Sequence, residues 1–188
     1  MQRLKIYAIL LSAITISYFG GISLKQKIRT LTTAAIIAAA YAALTLLLAP
    51  ISYGAVQFRV SEALTVLPFF TPAAVPGLFV GCLVANLIAG VNPVDFVVGS
   101  GATLLAALLS YLLGRRSRWL VPLPPVLINA VAIGLELWLF VDGERTLPML
   151  FATMGTVGLG QLAVCYGLGM PLLSLLDRHR EALGFRPR

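Results

Sequence analysis

Beyond the N-terminal segment, long stretches of this sequence hold no charged residue: 30–58, 63–94, 96–114, 119–135 and 146–176. A helix needs about 20 apolar residues to cross a bilayer, so the longest runs hold either two short passes or one long tilted one. In lipid only helices or a closed barrel satisfy every backbone polar group, and these runs lack the two-residue alternation of barrel strands. Composition agrees: 59% of residues are hydrophobic and only 11% charged, against about 25% charged in a soluble domain. The expected fold is an all-α integral membrane protein.

The formal net charge is +7, and most cations fall in three clusters: Lys25, Lys27 and Arg29; Arg115, Arg116 and Arg118; Arg178, Arg180, Arg186 and Arg188. Positively charged loops stay in the cytoplasm. Four spans between the first two clusters and two between the last two put all three there. Each cluster abuts a span, which favours this reading over nucleic-acid binding. Six helices are predicted over 27–49, 61–70, 72–90, 95–114, 121–141 and 147–176. Thr71-Pro72 separates the second from the third. Asn92-Pro93-Val94-Asp95 is a turn that puts Asp95 near a helix N-terminus. Pro122, Pro124 and Pro125 stiffen the start of the fifth, and Asp142-Gly143-Glu144-Arg145 is a polar connection. The expected organisation is a hydrophobic extension over 1–24, a six-helix membrane domain over 25–178 and a basic cytoplasmic tail over 179–188.

The extension fits this scheme poorly. Behind Arg3 and Lys5, residues 6–22 resemble a signal peptide or an extra span. As a span the segment puts those two cations outside; as a signal peptide it lacks a small-x-small site before Lys25. A third reading is an artefact of start-site assignment, since Gly20-Gly21 can be encoded by a ribosome-binding sequence and Leu24 follows at initiation distance. The intact mass of natively expressed protein separates these alternatives.

Polar side chains inside spans are costly and mark ligand paths. In this orientation they gather toward the outer face: Gln57 and Arg59 on the outer loop, Glu62 just after it, Asn86 at the outer end of the third helix, Asp95 at the start of the fourth and Glu136 in the outer half of the fifth. The inner half shows no comparable set, which suits capture of a polar solute from outside. Each residue also has a plainer reading. Arg59 and Glu62 can form an interfacial ion pair, and Asp95 can be only a helix cap. Asn86, Asn129 and Gln161 can be interhelical hydrogen-bond glue. Glu136 has no partner within its own helix, so a ligand role is favoured there. Trp138, Tyr53, Phe58 and Trp119 suit the interfacial aromatic belt, although Tyr53 or Trp138 can stack on a planar ligand.

In the first helix, Ala34, Ala38 and Ala42 form one small-residue row, and Ala35, Ala39 and Ala43 form the next. Such a face admits a closely packed helix, either internal or from another membrane subunit. The sequence has no phosphate-binding GxxxxGK[ST] loop, so ATP coupling would come from another chain. Gly155-Thr156-Val157-Gly158-Leu159-Gly160 reads as a packing stripe. Ser100 has no histidine base within reach, because the single His179 lies at the cytoplasmic tail. Cys82 and Cys165 lack metal-ligand spacing and suit packing. No catalytic residue, cofactor or metal site is expected.

The run Ala49-Pro50-Ile51-Ser52-Tyr53-Gly54-Ala55-Val56-Gln57-Phe58-Arg59-Val60-Ser61-Glu62-Ala63-Leu64, followed by Leu67-Pro68-Phe69-Phe70, closely resembles the QueT family. These are S components of energy-coupling-factor (ECF) transporters assigned to queuosine precursors. The resemblance continues through Pro76 to Cys82, Asp95 to Ser100 and Leu123 to Ala130, and covers about residues 27–176. It implies a six-helix S component in the bacterial plasma membrane with a cytoplasmic C-terminus. The chain would bind solute from outside and dock through the alanine face onto a transmembrane coupling subunit carried by two ATPase subunits. Under that resemblance Glu136 would read the guanine-like ring edge and Glu62 the cationic amine. Asn86, Asn129 and Gln57 would read the remaining edge, with Tyr53 or Trp138 stacking. The alternatives are an S component for another vitamin or nucleobase, or a membrane scaffold or enzyme outside transport.

Overall fold

The structure is a computed structural model that describes residues 23–53, 58–140 and 145–183. The chain divides into two compact units, residues 1–32 and 33–188, and everything discussed as the site lies in the second. The N-terminal apolar segment 6–22, Gln57, and Asp142 to Glu144 of the polar connection fall outside the described residues.

All regular structure among the described residues is helical. Helix α1 (Leu24–Leu47) is followed by the single turn α2 (Ala49–Ser52) and a 3₁₀ helix, Val60–Phe69. Then come α3 (Ala74–Ala89), α4 (Pro93–Gly114), a 3₁₀ turn (Arg118–Leu120), α5 (Leu123–Phe140) and α6 (Leu147–Val164). A π-helical turn, Cys165–Gly169, joins α6 to α7 (Met170–Arg178). Four helical stretches are long and apolar enough to cross a membrane, Leu24–Leu47, Pro93–Gly114, Arg118–Phe140 and Leu147–Arg178. Val60–Phe69 and Ala74–Ala89 are shorter apolar helices.

Local chemistry explains most boundaries. Alanine, the best helix former, fills the middle of α1, and Pro50 starts a new turn at α2. Helix α3 ends on Gly90, whose positive φ of 65° is open to glycine at little cost. The α4 cap is Asn92, whose Oδ1 accepts from the Val94 N–H at 3.0 Å, with Pro93 in the first turn. Asp95 therefore does not cap that helix. Thr146 caps α6 through the Met149 N–H. The second predicted helix is in place but wound as 3₁₀, and the last is interrupted by the π turn.

Many large apolar side chains point outward, among them Ile36, Leu87, Ile88, Leu105, Leu108, Val131, Phe151 and Leu159. Polar side chains are buried instead, Glu62, Asn86, Thr103, Asn129 and Gln161 among them. A water-soluble surface does not carry that much exposed hydrocarbon, whereas lipid solvates it. The protein is a multi-pass membrane bundle of helices.

Small residues set the helix spacings. A methyl added at Gly77 would lie 2.7 Å from the Ala34 carbonyl oxygen, and one at Gly81 would lie 2.7 Å from that of Ala38. One alanine row of α1 is thus closed against a glycine row of α3. The next row, Ala35, Ala39 and Ala43, is exposed. Gly134 of α5 meets the Met154 backbone of α6 as closely, and Gly158 packs on Ala130.

Candidate solute-binding site

Glu62 is the centre of the site. It lies in the 3₁₀ helix and is completely buried. Because side chains three apart eclipse in a 3₁₀ helix, Glu62, Thr65 and Pro68 form one buried row, with Arg59 at its head. Glu62 Oε1 accepts hydrogen bonds from the Tyr41 hydroxyl of α1 at 2.6 Å and the Thr103 hydroxyl of α4 at 3.4 Å. The Asn129 amide of α5 stands beside the same carboxyl. Its backbone carbonyl accepts from Thr65 Oγ1 at 2.6 Å and from Cys165 Sγ at 3.8 Å. Glu62 thus ties three helices to the 3₁₀ segment through its carboxylate and the π turn through its backbone carbonyl.

Arg59 is equally enclosed, with 3% of its surface exposed. Its guanidinium carbon lies 5.2 Å from the centroid of the Tyr53 ring, a cation–π distance. Its Nη1 approaches Cys82 Sγ at 3.8 Å. The same guanidinium acts electrostatically on Glu62, Asp95 and Glu136.

A second set joins from α3 and α4. Asn86, 1% exposed, accepts from the Tyr53 hydroxyl at 3.0 Å. It donates from Nδ2 toward Ser100 Oγ at 3.5 Å and Cys82 Sγ at 3.7 Å. Burial holds the pKa of the Tyr53 phenol above its ordinary value, with Arg59 opposing, so the hydroxyl remains a donor. Gly99 leaves room where these groups converge. A methyl there would meet Asp95 Oδ1 at 2.9 Å, Asn86 Nδ2 at 3.5 Å and Ile133 Cδ1 at 3.8 Å.

Three carboxylate oxygens in this cluster, Glu62 Oε2, Asp95 Oδ1 and Glu136 Oε2, are buried without a hydrogen-bond partner among the described residues. Buried acceptors are nearly always satisfied, and an orphaned one costs about 1–3 kcal/mol. Three on separate elements form a set of acceptors able to take N–H donors. A carboxylate receives two parallel N–H bonds from a guanidinium-like edge, and charge strengthens them.

Of the candidates read from sequence, the structure gathers Tyr53, Arg59, Glu62, Asn86, Asp95, Asn129 and Glu136 into one neighbourhood. Trp138 is engaged elsewhere, its indole N–H donating to the Thr146 carbonyl at 3.0 Å. Gln161 accepts from Cys165 at 3.6 Å, and the same thiol reaches the Glu62 carbonyl. Sequence reasoning missed Tyr41, Thr103, Ser100, Cys82 and Gly99. A tyrosine in an alanine run and a threonine four residues after a glycine were the available signs. No His, Cys, Asp or Glu grouping that could hold a metal occurs among the described residues.

Comparison with known proteins is consistent with this geometry. The profile of the QueT transporter family matches residues 31–178. The queuosine precursor transporter QueT of Lactococcus lactis subsp. cremoris (strain MG1363) is 39% identical over 94 residues. That alignment covers 49% of this chain and 55% of the relative, so the chain spans about half the length of the curated protein it matches. No solved structure matches. With the family profile running through every element that lines the polar cluster, the chain belongs to the QueT transporter family.

Proposed function

We propose that this chain is the solute-capturing subunit, the S component, of an ATP-driven energy-coupling-factor importer, and that its solute is a queuosine precursor such as 7-aminomethyl-7-deazaguanine or queuine. The observation that carries the reading is the set of three buried carboxylate oxygens that no described residue satisfies. Such a precursor offers adjacent ring-edge N–H donors and a cationic amine, the groups that satisfy such acceptors. Glu136 takes the ring edge and Glu62 the amine. Asn86, Asn129 and Gln57 read the remaining edge, with Asp95 adding negative potential. Tyr53 or Trp138 supplies the stacking face.

The wider reading follows the family. Six helical segments cross the membrane, the basic clusters and the C-terminus face the cytoplasm, and the site opens outward. The exposed row Ala35, Ala39 and Ala43 docks on a transmembrane coupling subunit bearing two ATPases. Its neighbour Ala34, Ala38 and Ala42 is committed to the Gly77 and Gly81 side of α3. Ala39→Leu is expected to abolish assembly with the coupling module while leaving solute affinity within about twofold, because a bulky side chain spoils a close helix approach. Copurification and equilibrium binding measure the two effects, and full assembly of the variant overturns the docking assignment.

Equilibrium binding of the purified protein to deazaguanines, queuine, guanine and common vitamins tests the solute. Selective binding of an amine-bearing deazaguanine is the expected result. Preference for an unrelated vitamin would keep the S-component reading and replace its solute. Absence of binding to every compound would sink both.

A further inference from the structure

Helix α4 carries Asp95, Gly99 and Thr103 at four-residue intervals, one above another on a single face. Thr103 stands at the Glu62 carboxyl, its hydroxyl 3.4 Å from Oε1. Asp95 begins this row about two turns away, and Gly99 lies between them without a side chain. A methyl on Gly99 would sit 2.9 Å from Asp95 Oδ1, closer than such atoms approach. The carboxylate therefore occupies the space that a side chain at 99 would fill. Asn86 Nδ2 of α3 and Ile133 Cδ1 of α5 border that space, 3.5 Å and 3.8 Å from the same point. Glu136 follows Ile133 by three residues, on the same face of α5. Folded over Gly99 in this way, Asp95 Oδ1 is buried, and no described residue donates to it.

We propose that Asp95 Oδ1, held in place by the missing side chain at Gly99, accepts the pyrrole N–H of the solute, so that the site selects a free base over its nucleoside. This rests on the reading that the solute is a queuosine precursor, and it adds a third contact to that reading. The chain offers three carboxylate oxygens that no described residue satisfies. A deazaguanine with an amine offers donors in three places: the pyrimidine edge, the amine and the pyrrole nitrogen. With Glu136 on the edge and Glu62 on the amine, the pyrrole N–H is the donor left over and Asp95 the acceptor left over. A nucleoside carries its sugar where that N–H was, so it brings no donor and sets bulk against the carboxylate. Asp95 is thus a direct contact that determines specificity, and Gly99 is the residue that positions it.

The test measures the affinity of the full-length protein in detergent for 7-aminomethyl-7-deazaguanine and for its derivative methylated on the pyrrole nitrogen. Methylation removes the N–H, so the ratio of the two affinities contains the bond to Asp95 together with a steric penalty. Asp95→Asn keeps the shape and loses the charge, which leaves the steric part unchanged. The ratio is expected to fall roughly five- to tenfold, through weaker binding of the parent base. Gly99→Ala should give a similar fall by another route. The simplest relief of a 2.9 Å contact with the end of a side chain is for the carboxylate to rotate, which carries Oδ1 off the N–H and keeps its charge. Alanine favours a helix over glycine, so the thermal midpoint of this variant should not drop. The double variant should lose no more than Asp95→Asn alone, since both changes act on one bond. An unchanged ratio in Asp95→Asn overturns the contact. A Gly99→Ala protein that melts lower, weakens both compounds equally or adds its loss to that of Asp95→Asn overturns the positioning role and leaves Gly99 a packing residue. If wild type binds the parent base and these results go the wrong way, only this assignment fails. If wild type binds neither compound, the solute reading fails first and takes the assignment with it.

Discussion

Glu62→Gln is expected to weaken binding of an amine-bearing deazaguanine by roughly 10- to 100-fold, because hydrogen bonds to a charged group contribute about 1.5–3 kcal/mol. The substitution keeps the shape of the side chain. The glutamine oxygen still accepts from Tyr41, whose hydroxyl lies 2.6 Å from Oε1 in the wild type, so the ties between helices survive. What is lost is the negative charge and the orphaned Oε2 acceptor. Equilibrium binding reports the loss, and the thermal unfolding midpoint shows that the bundle is intact. Glu136→Gln should behave in the same way, with the larger penalty on compounds that keep the ring-edge donors. Unchanged affinity in both variants removes the carboxylates from the proposed site.

Gly81→Leu should strongly destabilise the bundle. The first atom of the new side chain would lie 2.7 Å from the Ala38 carbonyl oxygen, 2.9 Å from Tyr41 Cβ and 3.0 Å from Ala38 Cα. Two of these three atoms are backbone, so no rotamer relieves the clash and α1 must retreat from α3. Overpacking of this kind costs about 1–3 kcal/mol, occasionally more. Retreat also carries Tyr41 away from Glu62, so stability and solute affinity fall together. Gly101→Leu is the control, since an added methyl there meets nothing within 4 Å. Equal thermal midpoints for the two variants in detergent would contradict the α1–α3 packing.

Charge-free runs were enough to read the membrane bundle, because hydrocarbon thickness turns composition directly into helices. The same logic singled out Glu62, Asn86, Asp95, Asn129 and Glu136 as candidates: ionisable or amide groups stand out in an apolar background. Tyr41 and Thr103 did not stand out. Each is unremarkable within its own helix, and each matters only through a contact with Glu62 that spans 21 or 41 residues of sequence. Trp138 was read as a possible stacking platform from its residue type and depth; its ring-edge bond to the Thr146 carbonyl depends on a chain reversal that neither sign contains. The alanine rows were legible as two faces. Which one closes against α3 depended on Gly77 and Gly81, a four-residue glycine spacing that marks close helix contact in apolar segments.

The winding of residues 60–69 changes how far that segment reaches. A 3₁₀ helix climbs about 2.0 Å per residue, against 1.5 Å in an α-helix, so ten residues travel roughly 20 Å instead of roughly 15 Å. That is about two thirds of a hydrocarbon layer about 30 Å thick, from a segment too short for an ordinary crossing. The tighter coil spreads the buried row Glu62, Thr65 and Pro68 over a greater length than an α-helix of the same residues would.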